Sequence, residues 1–292
     1  MVVDEAAFID EEIWTACLRP ALSDRGGKAI FLSTPRGRNW FYHCFERGND
    51  PLNNEWQSWT FPTAANTKIP AEEIAESRRT LPERIFRQEY EAAFLEDGGE
   101  VFRNIYGAAI APHVIAPIPK HRYVMGIDFA LYTDFTVCVV IDADEKAMVA
   151  MDRFTGTTWA LQRERIGNLA RKWNVEAILA ELNSIGSPNI EALWRDRLPI
   201  SSFTTTAASK PPLIEGLVSA LENVDLMILP DPALLGELGS YVYRNSRAGH
   251  TVYEAASGRH DDCVIALALA WKLAATPKLL FGVVDEDSIW IG

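Results

Sequence analysis

Three strand-like segments in quick succession, over 122–129, 134–142 and 146–154, leave this chain few folds to choose from. The gaps between them, at 131–133 and 143–145, are hairpin-sized, which predicts an antiparallel run. After them the hydrophobic period alternates. Helices are expected over about 158–173, 188–197 and 211–223, strands over 176–181 and near 200–204, and a final helix over 261–275. Antiparallel strands followed by alternating β and α elements predict a mixed sheet, with the first strand central and the last helix packed across it.

Acids stand at the ends of these elements. Asp128 closes the apolar run Tyr123-Val-Met-Gly-Ile-Asp128, Glu181 closes Ala177-Ile-Leu-Ala-Glu181, and Asp262 opens the apolar stretch that begins Cys263-Val-Ile-Ala-Leu. An acid that interrupts a buried strand is costly unless it has a partner. Three or four carboxylates gathered where strand ends converge can hold two divalent cations about 3.5–4 Å apart and activate water for phosphodiester hydrolysis, with no need for His or Cys. Asp134 and Asp261 are the nearby additional acids. A helix-capping role accounts for an acid such as Asp261 taken alone. The set points to a metal-dependent nuclease using Mg²⁺ or Mn²⁺.

Charge and cysteine content narrow the partners. A net charge of −12 excludes a protein that coats nucleic acid by electrostatics alone, but not an enzyme whose cations offset an acidic site. Cys17, Cys44, Cys138 and Cys263 form no CxxC pair, so neither a zinc knuckle nor a disulfide scaffold is expected, and a reduced, cytosolic setting follows. No apolar run reaches the roughly 20 residues of a membrane span. His260 is read as a surface or capping group, and Trp159, Trp173, Trp194 and Trp271 as core. Candidate phosphate contacts are Arg122, Arg153, Arg163, Arg165, Arg171, Lys172, Lys210, Arg244, Arg247 and Arg259, of which Arg163, Arg165, Arg171 and Lys172 also read as the wet face of an amphipathic helix. The segment 241–250, which mixes aromatic and basic residues, is read as a loop or hairpin that could lie along DNA.

The first part reads as a second α/β unit. Met1-Val-Val-Asp4-Glu5 looks like the end of a buried strand carrying two acids, followed by a helix over about 11–22; a strand over 28–33 runs into Thr34-Pro-Arg-Gly37 and a helix over about 39–47. Pro70 and Pro82 open two further helices. The Gly- and Pro-punctuated stretch 97–121 is expected as an inter-domain connection, which divides the chain into 1–96, 97–121 and 122–292.

Taken in order, these motifs resemble the large terminase subunit of tailed bacteriophages. Gly126-Ile-Asp128-Phe-Ala, Asp134-Phe-Thr136, Ala180-Glu181 and Arg259-His260-Asp261-Asp262 are similar to that family's RNase H-like nuclease domain. Val2-Val3-Asp4-Glu5-Ala6 resembles its Walker B strand, and Leu32-Ser33-Thr34-Pro35-Arg36-Gly37 its coupling motif. The resemblance implies an α/β fold: an RNase H-like mixed sheet flanked by helices, preceded by a partial P-loop ATPase. It also implies a metal triad of Asp128, Glu181 and Asp262 with Asp134 and Asp261 as accessory acids. Asp4, Glu5, Ser33 and Thr34 would be vestigial nucleotide-site residues. Double-stranded DNA, a portal protein and a small terminase subunit are the implied partners, in the cytoplasm of a bacterial host.

The phosphate-cradling loop G-x-x-x-x-G-K-[ST] is absent. Gly26-Gly27-Lys28 comes nearest, but Leu22 stands where the first Gly belongs and Ala29 where Ser or Thr belongs. ATP turnover is therefore not expected of this chain; ATP with Mg²⁺ belongs to a full-length homologue. Two other readings fit parts of the pattern: another RNase H-like nuclease of resolvase or transposase type, and a non-catalytic packaging or assembly module whose acids only cap helices.

Overall fold

The computed structural model describes residues 1–277, apart from 24–25, 97, 131–133, 183–186 and 246–250. The gap at 131–133, Arg247 and the acidic C-terminal tail thus lie outside the described residues. The chain opens with a parallel pair, β1 (Val2–Val3) and β2 (Ile30–Phe31), linked by a helical stretch with a π-helical segment at Ile13–Leu18 and a last turn α1 (Pro20–Ser23). Three helices follow: α2 (Trp40–Asn49), α3 (Ala71–Thr80) and α4 (Glu83–Glu89). Asn39 caps α2, its side-chain oxygen accepting the N–H groups of Phe41 and Tyr42 at 3.1 and 3.3 Å. Pro70 and Pro82 stand immediately before α3 and α4. Val3, Ala6 and Trp40 form a small core of their own.

The segment 97–121 is more than a connection. It contributes β3 (Gly98–Glu100) and the single turn α5 (Ile105–Ala108), and it buries Val101, Phe102, Ile105 and Ala108 in the largest core of the molecule. Apolar residues at this spacing make one face of a turn, a signal that the flanking Gly and Pro residues obscured.

The main sheet has β4 (Tyr123–Asp128), β5 (Thr136–Asp142), β6 (Ala147–Phe154), β7 (Val175–Glu181) and β8 (Ile200–Phe203), interleaved with α6 (Trp159–Lys172) and α7 (Ser187–Arg195). Their order is β6-β5-β4-β7-β8. The first three strands pair antiparallel and the last two join in parallel, so β4 is central as the patterning predicts. The chain continues through α8 (Lys210–Glu222), α9 (Pro232–Ser240), β9 (Tyr241–Asn245), β10 (Thr251–Ala255) and α10 (Asp262–Ala275). Helix α9 was not foreseen, although Asp231 caps it and Pro232 occupies its first position. The segment 241–250 includes one arm of an antiparallel hairpin, and β3 joins that hairpin along β9 as a third strand.

Alternation along the strands separates two cores. Val124 on β4, Val137, Val139 and Ile141 on β5 and Leu179 on β7 face α8, α9 and α10, whereas Met125, Ile127, Cys138, Val140, Ile178 and Ala180 face α6 and α7. Helix α10 lies so close to β4 that a Cβ at Gly126 would sit 2.0 Å from the Ala266 carbonyl oxygen and 2.4 Å from the Ala270 nitrogen. Of the tryptophans assigned to the core, Trp173 and Trp271 are buried but Trp194 is 69% exposed. Leu193 takes the inward position on α7, and one residue further along a helix points about 100° away.

At the end of β4 remote from Asp128, Asp142 gathers a turn: one oxygen accepts the N–H groups of Asp144 and Glu145, and the other faces His121 Nδ1 at 2.7 Å. The Asp142 hydrogen bond, with the charges of Asp142 and Asp144 adding to it, raises the His121 pKa. An imidazolium whose folded pKa is raised contributes stability that is present below about pH 6.5 and lost as pH rises through the folded value. The melting-temperature gap between wild type and His121→Ala is expected to be larger at pH 6 than at pH 9, as followed by circular dichroism.

Candidate metal centre

The period-2 rule and the sheet order bring the sequence-derived acids together. Asp128 ends β4 on the face that carries Val124 and Gly126, and Glu181 ends the neighbouring parallel strand β7 on the face that carries Leu179. Ile127 and Ala180 are register partners, so the two acids occupy the same end of adjacent strands. Asp262 is the first residue of α10, whose close packing on Gly126 fixes its N-terminus over that end.

Electrostatics mark the cluster. Asp128 is only 7% exposed, and its pKa is raised well above the ordinary carboxylate range, first by burial, then by the charge of Glu181 and a hydrogen bond with it, then by Asp262 and Asp261. Carboxylates crowded in this way repel one another, and a cation placed among them relieves the repulsion. Asp262, 8% exposed, is pushed up to about 6 by burial with the charges of Glu237 and Asp134, against the opposing Phe135 N–H and His260. The Phe135 N–H donates to Asp262 Oδ2 at 3.2 Å.

The accessory acids differ from one another. Asp134 is exposed and lies 3.2 Å from His260 Nδ1, which is also 3.8 Å from Asp262. His260 is exposed, as its reading as a surface group expects, and it also stands beside these acids with its ring edge-on to Phe135. Asp261 precedes α10 but makes no capping hydrogen bond; its Oδ2 faces Lys210 Nζ at 3.2 Å and accepts from the buried Tyr241 hydroxyl at 3.5 Å. Of the candidate phosphate contacts, Lys210 is thus engaged inside the site, Arg244 pairs with Glu254 across the hairpin, and Arg259 is exposed. Burial of the Tyr241 hydroxyl beside Asp261 raises its pKa.

This donor set fits hard divalent cations: all-oxygen ligands, two of them buried (Asp128 and Asp262), several negative charges and the adjacent Lys210 ammonium group. A tighter group, His121, Asp142 and Asp144, has ligand atoms all within 4.8 Å of one another, but the Asp142 oxygens are already committed to the turn and to His121. Among the described residues the ligand atoms of Asp128, Glu181 and Asp262 do not gather within that distance.

Asp4, Glu5, Ser33 and Thr34 also come together, where β1 and β2 end. The Ser33 hydroxyl donates to Glu5 Oε2 at 3.3 Å and accepts the Ala7 N–H at 3.2 Å, Glu5 takes a left-handed conformation, and Thr34 is half-buried beside them.

Glu237 escaped the sequence reading. It is buried on α9 and its Oε2 accepts the Cys263 N–H at 2.7 Å. Its spacing from Leu234 and Leu238, on one helical face, was the available signal.

Residues 125–273, half of the chain, match the family model of the terminase RNaseH-like domain. A large terminase subunit of Thermus virus P23-45 is 29% identical over 93% of this chain and 60% of its own length, so the chain spans about three fifths of that relative. The large terminase nuclease of the thermophilic phage G20c, solved with bound magnesium, is 26% identical with a TM-score of 0.55, over 59% of this chain and 96% of that one. A longer large terminase from another thermophilic bacteriophage shares the fold over 96% of this chain and 69% of its own, with a TM-score of 0.64 at 15% identity. With an RNase H-like mixed sheet and a match over half its residues, the chain belongs to the terminase RNaseH-like domain family.

Proposed function

We propose that this chain is a metal-dependent endonuclease of phage DNA packaging, the nuclease-bearing part of a large terminase subunit that cuts concatemeric double-stranded DNA. The observation that carries this reading is the convergence of Asp128, Glu181 and Asp262 at one end of the mixed sheet. These three would hold two Mg²⁺ or Mn²⁺ ions, with Asp134 and Asp261 as accessory acids. Bound there, such ions supply a water-derived nucleophile at neutral pH and neutralise charge on the leaving oxygen.

The chain's own groups do the positioning. Asp128 and Glu181 are held by the sheet itself, and Asp262 by the head of α10 and the Phe135 N–H. His260 stands at the rim beside both Asp134 and Asp262. Lys210 balances Asp261, and with Arg244, Arg247 and Arg259 it would contact phosphates of the DNA. The Arg244–Glu254 pair is exposed and screened by solvent, so the guanidinium can turn to DNA at little cost.

We assign residues 1–96 to a motor lobe of P-loop ATPase type, with Asp4, Glu5, Ser33 and Thr34 on its nucleotide-responsive side, residues 122–292 to the nuclease and 97–121 to the passage between them. Work at a portal, with a small terminase subunit and in the host cytoplasm, is part of the same reading; among the described residues no helix is long and apolar enough to cross a membrane. Nicking of supercoiled plasmid by the purified protein in Mn²⁺, and its loss on chelation, tests the proposal. Plasmid left intact in Mn²⁺, with Asp128→Ala indistinguishable from wild type, would overturn it.

A further inference from the structure

Of the three principal acids, Asp128 and Glu181 stand on strands whose positions the ladder fixes, but Asp262 rides on the head of a helix. A helix head needs partners for its first N–H groups, and Asp261, the residue placed to supply one, turns its carboxylate to Lys210 and Tyr241 instead. The partner comes from elsewhere. Glu237 of α9, 7% exposed, accepts the Cys263 N–H at 2.7 Å through Oε2 and the Cys263 thiol at 3.2 Å through Oε1. Glu237 is held in turn by Arg153 of β6, whose Nη2 lies 3.5 Å from Oε1. The Arg153 guanidinium stacks on Phe135, 3.3 Å from the ring centre, and the Phe135 N–H donates to Asp262.

The contacts close a circuit that leaves α10 at Cys263, passes through Glu237, Arg153 and Phe135, and returns to Asp262. Arg153 is also the register partner of Val137, and Val137 that of Asp128, so the circuit is anchored on the cross-strand row that carries Asp128. We propose that Arg153 and Glu237 form a positioning pair that sets the distance between Asp262 and Asp128, and thereby the affinity of the centre for divalent cations. The proposal rests on the metal-nuclease reading above and extends it to two residues outside the set of candidate metal ligands.

Charge alone and positioning make opposite predictions for Arg153. Removing a cation beside an acidic cluster strengthens divalent-cation binding if only charge matters, and weakens it if Arg153 holds Glu237 and Phe135 in place. The test is calorimetric titration of the metal-stripped full chain with Mn²⁺, for wild type, Arg153→Met and Glu237→Gln. Glu222→Gln serves as control, since Glu222 also accepts a backbone N–H, that of Glu83 at 2.9 Å, away from the site. Loss of an outer-shell partner costs about 10- to 100-fold in metal affinity, and that weakening is expected for both Arg153→Met and Glu237→Gln, with the Glu222→Gln affinity unchanged. In plasmid nicking, kcat is expected to fall with KM for DNA unchanged.

Tighter or unaltered Mn²⁺ binding by Arg153→Met overturns the proposal. If that variant does not fold, Arg153→Gln, which removes the same charge, is titrated in its place, and tighter or wild-type affinity in it is equally fatal, as is wild-type affinity in Glu237→Gln. Should wild type itself bind no Mn²⁺ that Asp128→Asn abolishes, the metal-nuclease reading fails first and takes the positioning pair with it.

Discussion

Asp128→Asn is expected to abolish nicking while raising the melting temperature of the metal-free protein. Metal assistance to hydrolysis is worth several kcal/mol, and at about 1.4 kcal/mol per decade the rate loss is on the order of a thousandfold. The gain in stability has a separate origin. A buried carboxyl crowded by Glu181, Asp262 and Asp261 is destabilised when ionised, and an amide of the same shape can donate to Glu181 without carrying charge. Relief of about 1–3 kcal/mol is the expected scale.

The sign of the pH dependence follows from the raised pKa values. Acids whose folded pKa is raised contribute stability that is present below the ordinary value near 4 and lost as pH rises through the folded one, which for Asp262 is about 6. The stabilisation of Asp128→Asn over wild type should therefore be larger at pH 7.5 than at pH 4.5. Mn²⁺ should raise the melting temperature of wild type at pH 7.5 and leave that of the variant unchanged. Equal melting curves for the two proteins at both pH values would remove the electrostatic argument.

Gly126→Ala is expected to be the most damaging single methyl addition in the nuclease half. The new Cβ would meet the Ala266 carbonyl oxygen at 2.0 Å and the Ala270 nitrogen at 2.4 Å, both backbone atoms of α10 that no side-chain rotation can move. Helix and strand must separate, at a cost of roughly 3 kcal/mol or more, the upper end for overpacking. For a chain of this size that is a fall of about 6–12 °C in melting temperature. Activity should fall too, because the displaced helix carries Asp262 away from Asp128. A variant that melts with wild type and nicks normally would show that α10 does not bear on β4 as closely as described.

Much of this site was legible because its acids violate the pattern around them. Asp128 and Glu181 end apolar strands, and Asp262 heads an apolar helix, so each is conspicuous against its neighbours. The order of the main sheet was legible for a similar reason, since hairpin-sized gaps and period changes fix which strands can be neighbours. Arg153 was read from the sequence only as a phosphate contact, because a local irregularity obscured the face it lies on. A bulge where β6 passes Val140 and Ile141 places Val149 and Ala150 on the same face, and beyond it the alternation is inverted. Counting by twos from Met148 puts Arg153 on the wrong side of the sheet. The core role of 101–108 was masked by the Gly and Pro residues around it, and the Lys210–Asp261 pair joins residues so far apart in the chain that no local pattern reports it.

The strand that Gly98–Glu100 adds to the hairpin bears on how the nuclease could be excised. A fragment beginning at Arg122 would leave one flank of β9 without its ladder and uncover the pocket that Val101, Phe102, Ile105 and Ala108 fill. Open backbone groups beside bare apolar surface invite chain-to-chain association, so such a fragment would be prone to aggregate. A cut before Gly98 retains both the strand and the plug.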